Sequence, residues 1–374
     1  FGHRECLREL LDAEPEACKT EDNSGNTPLH DAAEGGSAGC ALELLSRGAD
    51  VESRNAEYCT PLRVAVRYGR VECMHELIKW GADREAKDQD GNTPLHVAVL
   101  FHSVECVREL LTLGADAEAK NLNDKAPLHL AVSSNYNDCA RALLQGGANV
   151  DVQDDFDDTP LHVAVFDDNE SCVKELLEGG ADTEARNRDS DTALFVAVKR
   201  DHVRCMQRLL EAGANMEARN GRDYTPLSLA VALHHIGCIR ALCEVGVDTE
   251  ALDNAGDTPM HQAVMGGNPV CVRQLIEGGA DKEARNSDGK TPLHMAVLMD
   301  KPECARELLE GGADTESKDT RGNTPIHQAL LGGDSLECAR LLIQGGADKE
   351  ARNRDGSTPL HMAVMLKRPE LVRE

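Results

Sequence analysis

The stretch Thr93–Lys125, TPLHVAVLFHSVECVRELLTLGADAEAKNLNDK, decides the fold, because the chain repeats it with variations every 33 residues. A fixed period of this length indicates a stack of small supersecondary units rather than a globular core with one deep pocket. Ten units follow one another at this spacing, and an eleventh follows after one inserted residue. They begin at Thr27, Thr60, Thr93, Ala126, Thr159, Thr192, Thr225, Thr258, Thr291, Thr324 and Thr358.

The sequence of each repeat predicts a pair of helices followed by a loop. Thr93 suits the N-cap position of a helix, and Pro94 suits the first helical position, where its missing N–H has no cost. Apolar residues at helical spacing predict a short first helix after Pro94 and a second helix over 104–111. Gly114 fits the left-handed residue that follows a helix. Small and polar residues alternate over 115–121, which predicts a protruding hairpin.

The combined pattern, TPLHxA followed by C-x-x-x-L-L-x-x-G-A-D, closely resembles the ankyrin repeat over essentially the whole chain. The resemblance implies an all-α fold, an ankyrin-repeat solenoid of stacked helix-turn-helix units with projecting β-hairpin loops and a concave groove. We expect a single array over residues 1–374, with a partial repeat at 1–26, ten complete repeats at 27–357 and a partial repeat at 358–374. Both ends stop inside a unit without an evident polar cap, so we expect a piece of a longer protein.

The departures from the family pattern cluster in the middle of the chain. Ala126 replaces the N-cap threonine, which should cost about 1 kcal/mol. We therefore expect residues 121–228 to be the least regular and least stable part. Drift tolerated by neighbouring repeats and a specialised contact region both explain the cluster. The glycine expected at the loop turn is replaced by Tyr58, Asp124, Asp157, Ser190 and Asp223.

The charge composition narrows the classes of partner. Asp and Glu number 66 against 40 Lys and Arg, a formal charge of −26. An acidic surface repels phosphate backbones, so we expect no nucleic-acid partner, and a basic protein or peptide is favoured. No apolar run approaches the roughly 18 residues of a membrane span, so we expect no direct membrane insertion. A signal peptide is not evident, but Phe1 is not an initiator methionine, which leaves a removed leader open.

Eleven of the fourteen cysteines occupy one position of the repeat. Equivalent positions in stacked helical units lie about 8–10 Å apart, too far for a disulfide or a shared zinc ion. A small buried apolar side chain explains the recurrence, and free thiols favour a reducing, cytoplasmic location. Cys18 and Cys59 fall in loops and should be the most accessible thiols. The eleven are Cys6, Cys40, Cys73, Cys106, Cys139, Cys172, Cys205, Cys238, Cys271, Cys304 and Cys338.

Two short motifs resemble catalytic or nucleotide-binding signatures without their context. Gly35–Gly39 matches the G-x-S-x-G nucleophile elbow, but it falls between two predicted helices, whereas that motif follows a strand. Gly289–Thr291 matches the end of a P-loop, but Ala284 stands where its first glycine belongs. We therefore expect no catalytic residue and no cofactor.

Two further patterns raise the question of a metal. The histidine of the repeated phrase lies at the third helical position, where local hydrogen bonding that braces the hairpin explains it; the resemblance implies the same role. The acidic stretch 154–158 lacks the spaced ligands and closing Glu of an EF-hand loop. We interpret it as a solvated loop tip or, through Phe156, as a protein contact, and we expect no metal site.

The best functional candidates lie seven and eight residues after the start of each unit, at the end of the first helix. In ankyrin repeats these positions generally face the groove and vary with the partner. An exposed apolar stripe there would be an interaction surface, and packing against the neighbouring unit is the alternative. With Phe156, the candidate partner-binding residues are Tyr68, Leu100, Phe101, Phe166, Leu233, Met265, Leu298, Met299, Leu331 and Met365.

The segment from Leu233 to Leu366 suggests a specific ligand. Its Met and Leu side chains would form an apolar floor, and Asp257, Asp288 and Asp355 would form an acidic rim. Together they suit a basic amphipathic helix or an extended peptide.

We consider three functions. The first is a non-enzymatic scaffold or adaptor that binds a protein or peptide through the groove and hairpin tips. The second is the regulatory or targeting region of a larger enzyme or ion channel, since ankyrin arrays occur beside such domains. The third is a mechanical spacer, because about eleven units at 8–10 Å each would reach roughly 100 Å.

Overall fold

The structure is a computed structural model that describes the backbone of residues 2–331 and 336–365, with side chains from residue 4 onward. Leu366 lies outside these ranges. Contacts between Cα atoms divide the chain into two units, Phe1–Arg188 (unit 1) and Asp189–Glu374 (unit 2). Among the helices within the described ranges, none combines the length and the apolar character that crossing a membrane requires.

Both units are built from short helices joined by turns, with a 3-10 helix at Pro15–Lys19 in unit 1. The helices of unit 1 are α1 (Gly2–Ala13), α2 (Pro28–Gly35), α3 (Ala38–Ser46), α4 (Pro61–Arg67), α5 (Val71–Lys79), α6 (Pro94–Leu100), α7 (Val104–Thr112), α8 (Pro127–Ser133), α9 (Asn137–Gln145), α10 (Pro160–Phe166) and α11 (Glu170–Glu178). The helices of unit 2 are α12 (Ala193–Arg200), α13 (Val203–Glu211), α14 (Pro226–Leu233), α15 (Ile236–Val245), α16 (Pro259–Met265), α17 (Pro269–Glu277), α18 (Pro292–Leu298), α19 (Pro302–Glu310), α20 (Pro325–Leu331), α21 (Leu336–Gln344) and α22 (Pro359–Met365).

The helix pairs form for the reasons that the sequence suggests. Thr93 has an extended backbone at the N-cap of α6, and Pro94 begins the helix with its φ already near the helical value. Within each unit, a first helix packs on its own second helix and on the first helix of the next repeat. The core lies between these layers, where Leu95, Val99 and Leu110 have no exposed surface. The predicted all-α stack of helix pairs is confirmed.

Six histidines of the repeated phrase tie each helix pair to the next loop. In the repeat that begins at Thr93, Nδ1 of His96 accepts a hydrogen bond from the Thr93 N–H at 3.2 Å. That bond leaves the ring proton on Nε2, which donates to the Lys125 carbonyl 2.9 Å away in the following loop. The predicted bracing role is confirmed for these six histidines. These six, the bracing histidines, are His30, His96, His129, His261, His294 and His327.

The loops between repeats are closed by turns, and no strand occurs in the described residues. Each loop ends in a five-residue tip such as Asp88–Asn92, in which the Asp88 carboxylate accepts the N–H groups of Asp90 and Asn92. The rest of the loop bonds to its neighbour instead of to an opposite arm: the Asp116 N–H donates to the Glu85 carboxylate 2.8 Å away. The projecting loops therefore lack the ladder of a β-hairpin.

The fourth residue of each tip is left-handed whether or not it is glycine. Gly91 has φ +74°, and a Cβ there would lie 2.8 Å from the Leu122 nitrogen of the next tip. That close approach lets the Leu122 N–H donate to the Asp90 carbonyl at 2.9 Å. The five residues that replace glycine also have positive φ. They are Tyr58, Asp124, Asp157, Ser190 and Asp223, with φ values of 58°, 56°, 58°, 60° and 66°.

Replacing the glycine mostly removes this bond between neighbouring tips. It forms across Gly25, Gly91, Gly289 and Gly322. Within the described ranges, no corresponding bond crosses the tips of Tyr58, Asp124 or Asp223; the tip of Asp157 keeps it, from the Arg188 N–H to the Phe156 carbonyl at 3.1 Å. At Gly91 a Cβ would occupy the space of the approaching backbone, which opposes the bond. The relation is not strict, because the tip of Asp157 keeps the bond, and at Gly256 the Ser287 hydroxyl donates to the Ala255 carbonyl instead of the backbone N–H.

Nine of the eleven repeated cysteines are buried, as the sequence predicts, and two are not. Cys6, on α1, is exposed, and Cys40 is partly exposed. The prediction for the loop cysteines is wrong: Cys18 and Cys59 have 1% and 2% exposed surface. Cys18 bonds to the Pro15 carbonyl within a 3-10 turn that covers it.

Candidate interaction surface

The candidate positions lie at the C-terminal ends of the first helices, directly after the last buried turn. Val99 is fully buried, whereas Leu100 and Phe101 beside it are 41% and 47% exposed. The first helices are only seven or eight residues long, so their last residues project beyond the contact with the neighbouring repeat. We call Tyr68, Leu100, Phe101 and Phe166 the unit 1 row, and Leu233, Met265, Leu298, Met299, Leu331 and Met365 the unit 2 row.

Nine of these ten row residues are exposed, with exposed fractions from 39% at Met299 to 75% at Met365. Leu298 is the exception, because it is partly buried beside Leu331. The two leucines border a cavity of about 230 Å³ whose other walls include Lys290, Asp319 and Gln328. The alternative interpretation of these positions was packing against a neighbouring repeat. It explains the partial burial of Leu298.

The unit 1 row combines aromatic rings with a cation. The Arg67 guanidinium lies 5.1 Å from the ring centroid of Phe101 and 5.8 Å from that of Tyr68. Arg67 also pairs with Glu57 at 3.3 Å. Tyr68, Glu34 and Glu57 help to line a cavity of about 350 Å³. The sequence does not reveal this cluster, because its members come from three repeats.

Phe156 lies at a loop tip and is 57% exposed. The Asp154 carboxylate closes that tip by accepting the N–H groups of Phe156 and Asp158, at 2.9 and 3.0 Å. Arg188 lies over the Phe156 ring at 5.9 Å and pairs with Asp157 at 3.7 Å. One carboxylate of the acidic stretch therefore has a structural role, and Phe156 remains available for contact.

The acidic rim of unit 2 is weaker than the sequence suggests. Asp257 is only 6% exposed and accepts a hydrogen bond from the Asn286 amide at 2.9 Å, so it is a structural residue and not a rim charge. Asp288 is exposed but pairs with Lys290 at 2.9 Å. Asp355 is exposed, with Arg354 next to it in the sequence.

The acidic charge is concentrated in unit 1. Residues 1–188 contain 37 acidic and 18 basic residues, a net charge of −19, and residues 189–374 contain 29 and 22, a net charge of −7. Exposed carboxylates of unit 1 include Glu57 and Asp90 at the tips and Asp167 beside Phe166. Long-range attraction for a basic ligand is therefore stronger at unit 1.

The G-x-S-x-G stretch has a structural explanation. Gly36 is left-handed, with φ +71°, and ends α2, and Ser37 precedes α3. The serine therefore lies in a turn between two helices, as expected, and not at the end of a strand.

Other exposed apolar side chains lie outside the two rows. Leu122 and Leu252 lie in loops, and Trp80, Val245 and Val270 belong to the second helices or follow them. For Leu122 and Leu252 the sequence gave a weak signal, which is an apolar residue in a loop of mostly polar residues. The second-helix residues follow the same period as buried ones, so only the packing distinguishes them.

Family models agree with this architecture. A family model described as ankyrin repeats (3 copies) matches residues 53–121, 113–187, 161–253, 227–319 and 301–374, and one described as ankyrin repeats (many copies) matches 10–65. The crystal structure of the human ASB11 ankyrin repeat domain is 32% identical, covers 55% of this chain and 92% of its own, and has a TM-score of 0.48. No curated protein matches the chain.

Ankyrin repeats are generally protein–protein interaction modules. The family matches extend from residue 10 to residue 374. The chain belongs to the ankyrin repeat family.

Proposed function

We propose that this chain is a non-enzymatic scaffold that binds a protein or peptide through the unit 1 row and the unit 2 row. The observation that carries the proposal is the exposure of large apolar side chains seven or eight residues after the start of eight repeats. Single exposed apolar residues are common on protein surfaces, but a series at equivalent positions of stacked repeats, as in the unit 2 row, can present an apolar strip. Such a strip loses contact with water when a partner covers it, which favours association.

The chemistry of the two rows favours a partner with a basic amphipathic segment. The unit 2 row is made of Met and Leu, whose side chains adapt to the shape of an apolar helix face. The net charge of −19 in unit 1 attracts Lys and Arg, and its aromatic rings can receive further cations. Apolar contacts would then hold the partner, and charge would speed its encounter.

The apolar part of the proposal is tested with a matched pair of double variants. Met265→Glu with Met299→Glu places two charges in the unit 2 row at side chains that are 43% and 39% exposed. Val245→Glu with Val270→Glu places the same charges on similarly exposed side chains in the second helices. Leu298 is avoided because it is partly buried, and a charge there would disturb the fold.

Proteins captured by the wild-type chain and by the two variants are compared by quantitative mass spectrometry, with circular dichroism as the check on folding. We expect the Met variant to lose the partners that the wild type and the Val variant retain. Equal capture by all three folded proteins would show that the unit 2 row does not bind the partner.

The charge part of the proposal is tested at unit 1. Asp90→Asn with Asp155→Asn removes two tip charges, and it leaves in place Asp88 and Asp154, whose carboxylates close the same tips. We expect slower association with a captured partner and a flatter dependence of the rate on salt. A salt dependence identical to that of the wild type would mean that these charges do not steer the partner.

We also propose a cytoplasmic, reducing location. All fourteen cysteines are free thiols, as is usual where glutathione and thioredoxin keep thiols reduced. Subcellular fractionation tests this, and recovery of the protein in a secreted fraction would contradict it.

A further inference from the structure

Four of the repeated cysteines contact the side chain of a particular residue of the preceding repeat. This residue is the left-handed one in the turn between the first and second helices, 37 or 38 positions earlier in the chain. Its side chain approaches the cysteine sulfur from the solvent side. Recorded pairs are Asn135 with Cys172 at 3.9 Å, Asp201 with Cys238 at 3.3 Å, His234 with Cys271 at 3.8 Å and Asp300 with Cys338 at 3.7 Å.

At Cys139 this arrangement brings three kinds of metal-ligating side chain together. His102 is the left-handed turn residue, with φ +53°, and Asp138 directly precedes Cys139 in α9. A ring nitrogen of His102, a carboxylate oxygen of Asp138 and the Cys139 sulfur all lie within 4.8 Å of one another. In the described part of the chain, no other such group of three is found.

The surroundings hold this cluster in place. The His102 ring stacks on Tyr136 with 4.2 Å between the ring centroids, and its Nε2 lies 2.7 Å from the Asp138 carboxylate. The Asp138 carboxylate also accepts the Cys139 N–H at 2.9 Å. Cys139 is fully buried, whereas the side chains of His102 and Asp138 are 46% and 51% exposed. The Cys139 sulfur is therefore a buried ligand, and the exposed side chains of His102 and Asp138 are free to change their rotamers.

We propose that His102, Asp138 and Cys139 bind a zinc ion, with water in the fourth position. Nitrogen, oxygen and sulfur donors are the ligands that Zn²⁺ takes, at about 2.0–2.3 Å from the metal. Tetrahedral bonds of that length place the donors about 3–4 Å apart. Binding therefore opens the 2.7 Å contact between His102 and Asp138 slightly, which rotations of these two exposed side chains allow.

Zinc binding removes one proton from the Cys139 thiol. Coordination forms the Zn–S bond, breaks the S–H bond and releases one proton to solvent. The negative charges of Asp138 and Glu105 disfavour a thiolate without a metal, but they attract Zn²⁺.

A zinc ion here would join two adjacent repeats. His102 belongs to the turn between α6 and α7, and the other two ligands belong to α9 of the next repeat. The intervening loop carries Asp124 in place of the tip glycine and Ala126 in place of the capping threonine. Binding to the folded state alone would stabilise this pair of repeats. The sequence predicts no metal site because the ligands lie 36 and 37 residues apart and match no spacing motif.

The test uses the full chain, reduced and freed of metal, with Co²⁺ and Zn²⁺ as probes. We expect one Co²⁺ per chain, with the d–d bands of a tetrahedral site and a thiolate-to-cobalt charge-transfer band. Cys139→Ala should abolish the charge-transfer band, and Asp138→Asn and His102→Asn should weaken Zn²⁺ affinity at least about tenfold. Cys106→Ala is the matched control, because Cys106 is equally buried but the corresponding turn residue is Gly69.

Three results would overturn the proposal. They are the absence of a charge-transfer band in the wild type, an unchanged band in Cys139→Ala, and equal loss in Cys106→Ala and Cys139→Ala. An unchanged band in Cys139→Ala would assign the metal to another thiol, such as the exposed Cys6. Because Asp138→Asn and His102→Asn alter exposed side chains, they keep the test decisive if Cys139→Ala lowers stability.

Discussion

Replacing Gly91 by alanine tests whether the loop tips are coupled through their backbones. Gly91 has φ +74°, and an added Cβ would lie 2.8 Å from the Leu122 nitrogen and 3.1 Å from the Leu122 Cγ. The nearest atom is backbone, so the next tip must move as a whole. We expect that movement to lengthen or break the bond from the Leu122 N–H to the Asp90 carbonyl, which is 2.9 Å long.

The expected loss of stability has two parts. Placing alanine in the left-handed region costs about 1–2 kcal/mol. Losing the hydrogen bond between the tips costs about 1 kcal/mol more. Gly147→Ala is the matched control, because Gly147 has φ +91° and no atom within 4 Å of its added Cβ. Both variants share the backbone cost and the reduced entropy of the unfolded chain, so their difference isolates the contact between tips.

Local hydrogen exchange measures the difference directly. We expect the Leu122 amide to exchange about five to ten times faster in Gly91→Ala than in Gly147→Ala, which corresponds to about 1 kcal/mol or slightly more. Urea unfolding of the whole chain is less suitable, because a repeat array need not unfold in one step. Equal exchange at Leu122 in the two variants would refute the coupling of the tips through Gly91.

Three further predictions concern the intact chain. Hydrogen exchange should be faster over 121–228 than over 258–323, because tip bonds and a cap are missing in the first range; uniform protection would contradict this. Native alkylation followed by mass spectrometry should modify Cys6 first, then Cys40 and Cys243, because burial keeps the other thiols out of reach; early modification of the nine buried repeat cysteines would disprove the assigned packing. Burial lowers the pKa of each bracing histidine below its ordinary value of 6.5, so the folded state favours the neutral ring. The stability that the neutral rings contribute is therefore complete above about pH 6.5, and it falls as the pH drops from there through the lower pKa values of the folded state. Thermal unfolding should show a lower midpoint at about pH 5 than at about pH 7.

The bracing histidines show how local sequence can predict a tertiary contact. The bond from the Thr93 N–H to His96 joins residues three positions apart, so the repeated phrase alone predicts it. The second bond of the same ring reaches the Lys125 carbonyl, 29 residues away. The fixed period makes that contact recur, because every repeat presents the same carbonyl at the same distance along the chain.

The cysteines and acidic residues show where the pattern fails. Cys6 and Cys106 occupy the same position of the repeat, yet Cys6 is exposed and Cys106 has no exposed surface. Asp257 and Asp288 both lie at loop tips, yet Asp257 is buried against Asn286, and Asp288 is exposed beside Lys290. Equivalent positions differ when their neighbours differ, and one repeat does not specify the side chains of the next.

The sequence by itself determined the repeat, the helix pairs and the rows of candidate residues, because helix signals and apolar periodicity act within about ten residues. Tertiary structure alone decided that Leu298 is partly buried, that Arg67 covers Phe101 and that His102 meets Asp138 and Cys139. These contacts join residues that belong to different repeats. Their distances depend on how the side chains of one helix pack against the next, which the local sequence signal does not contain.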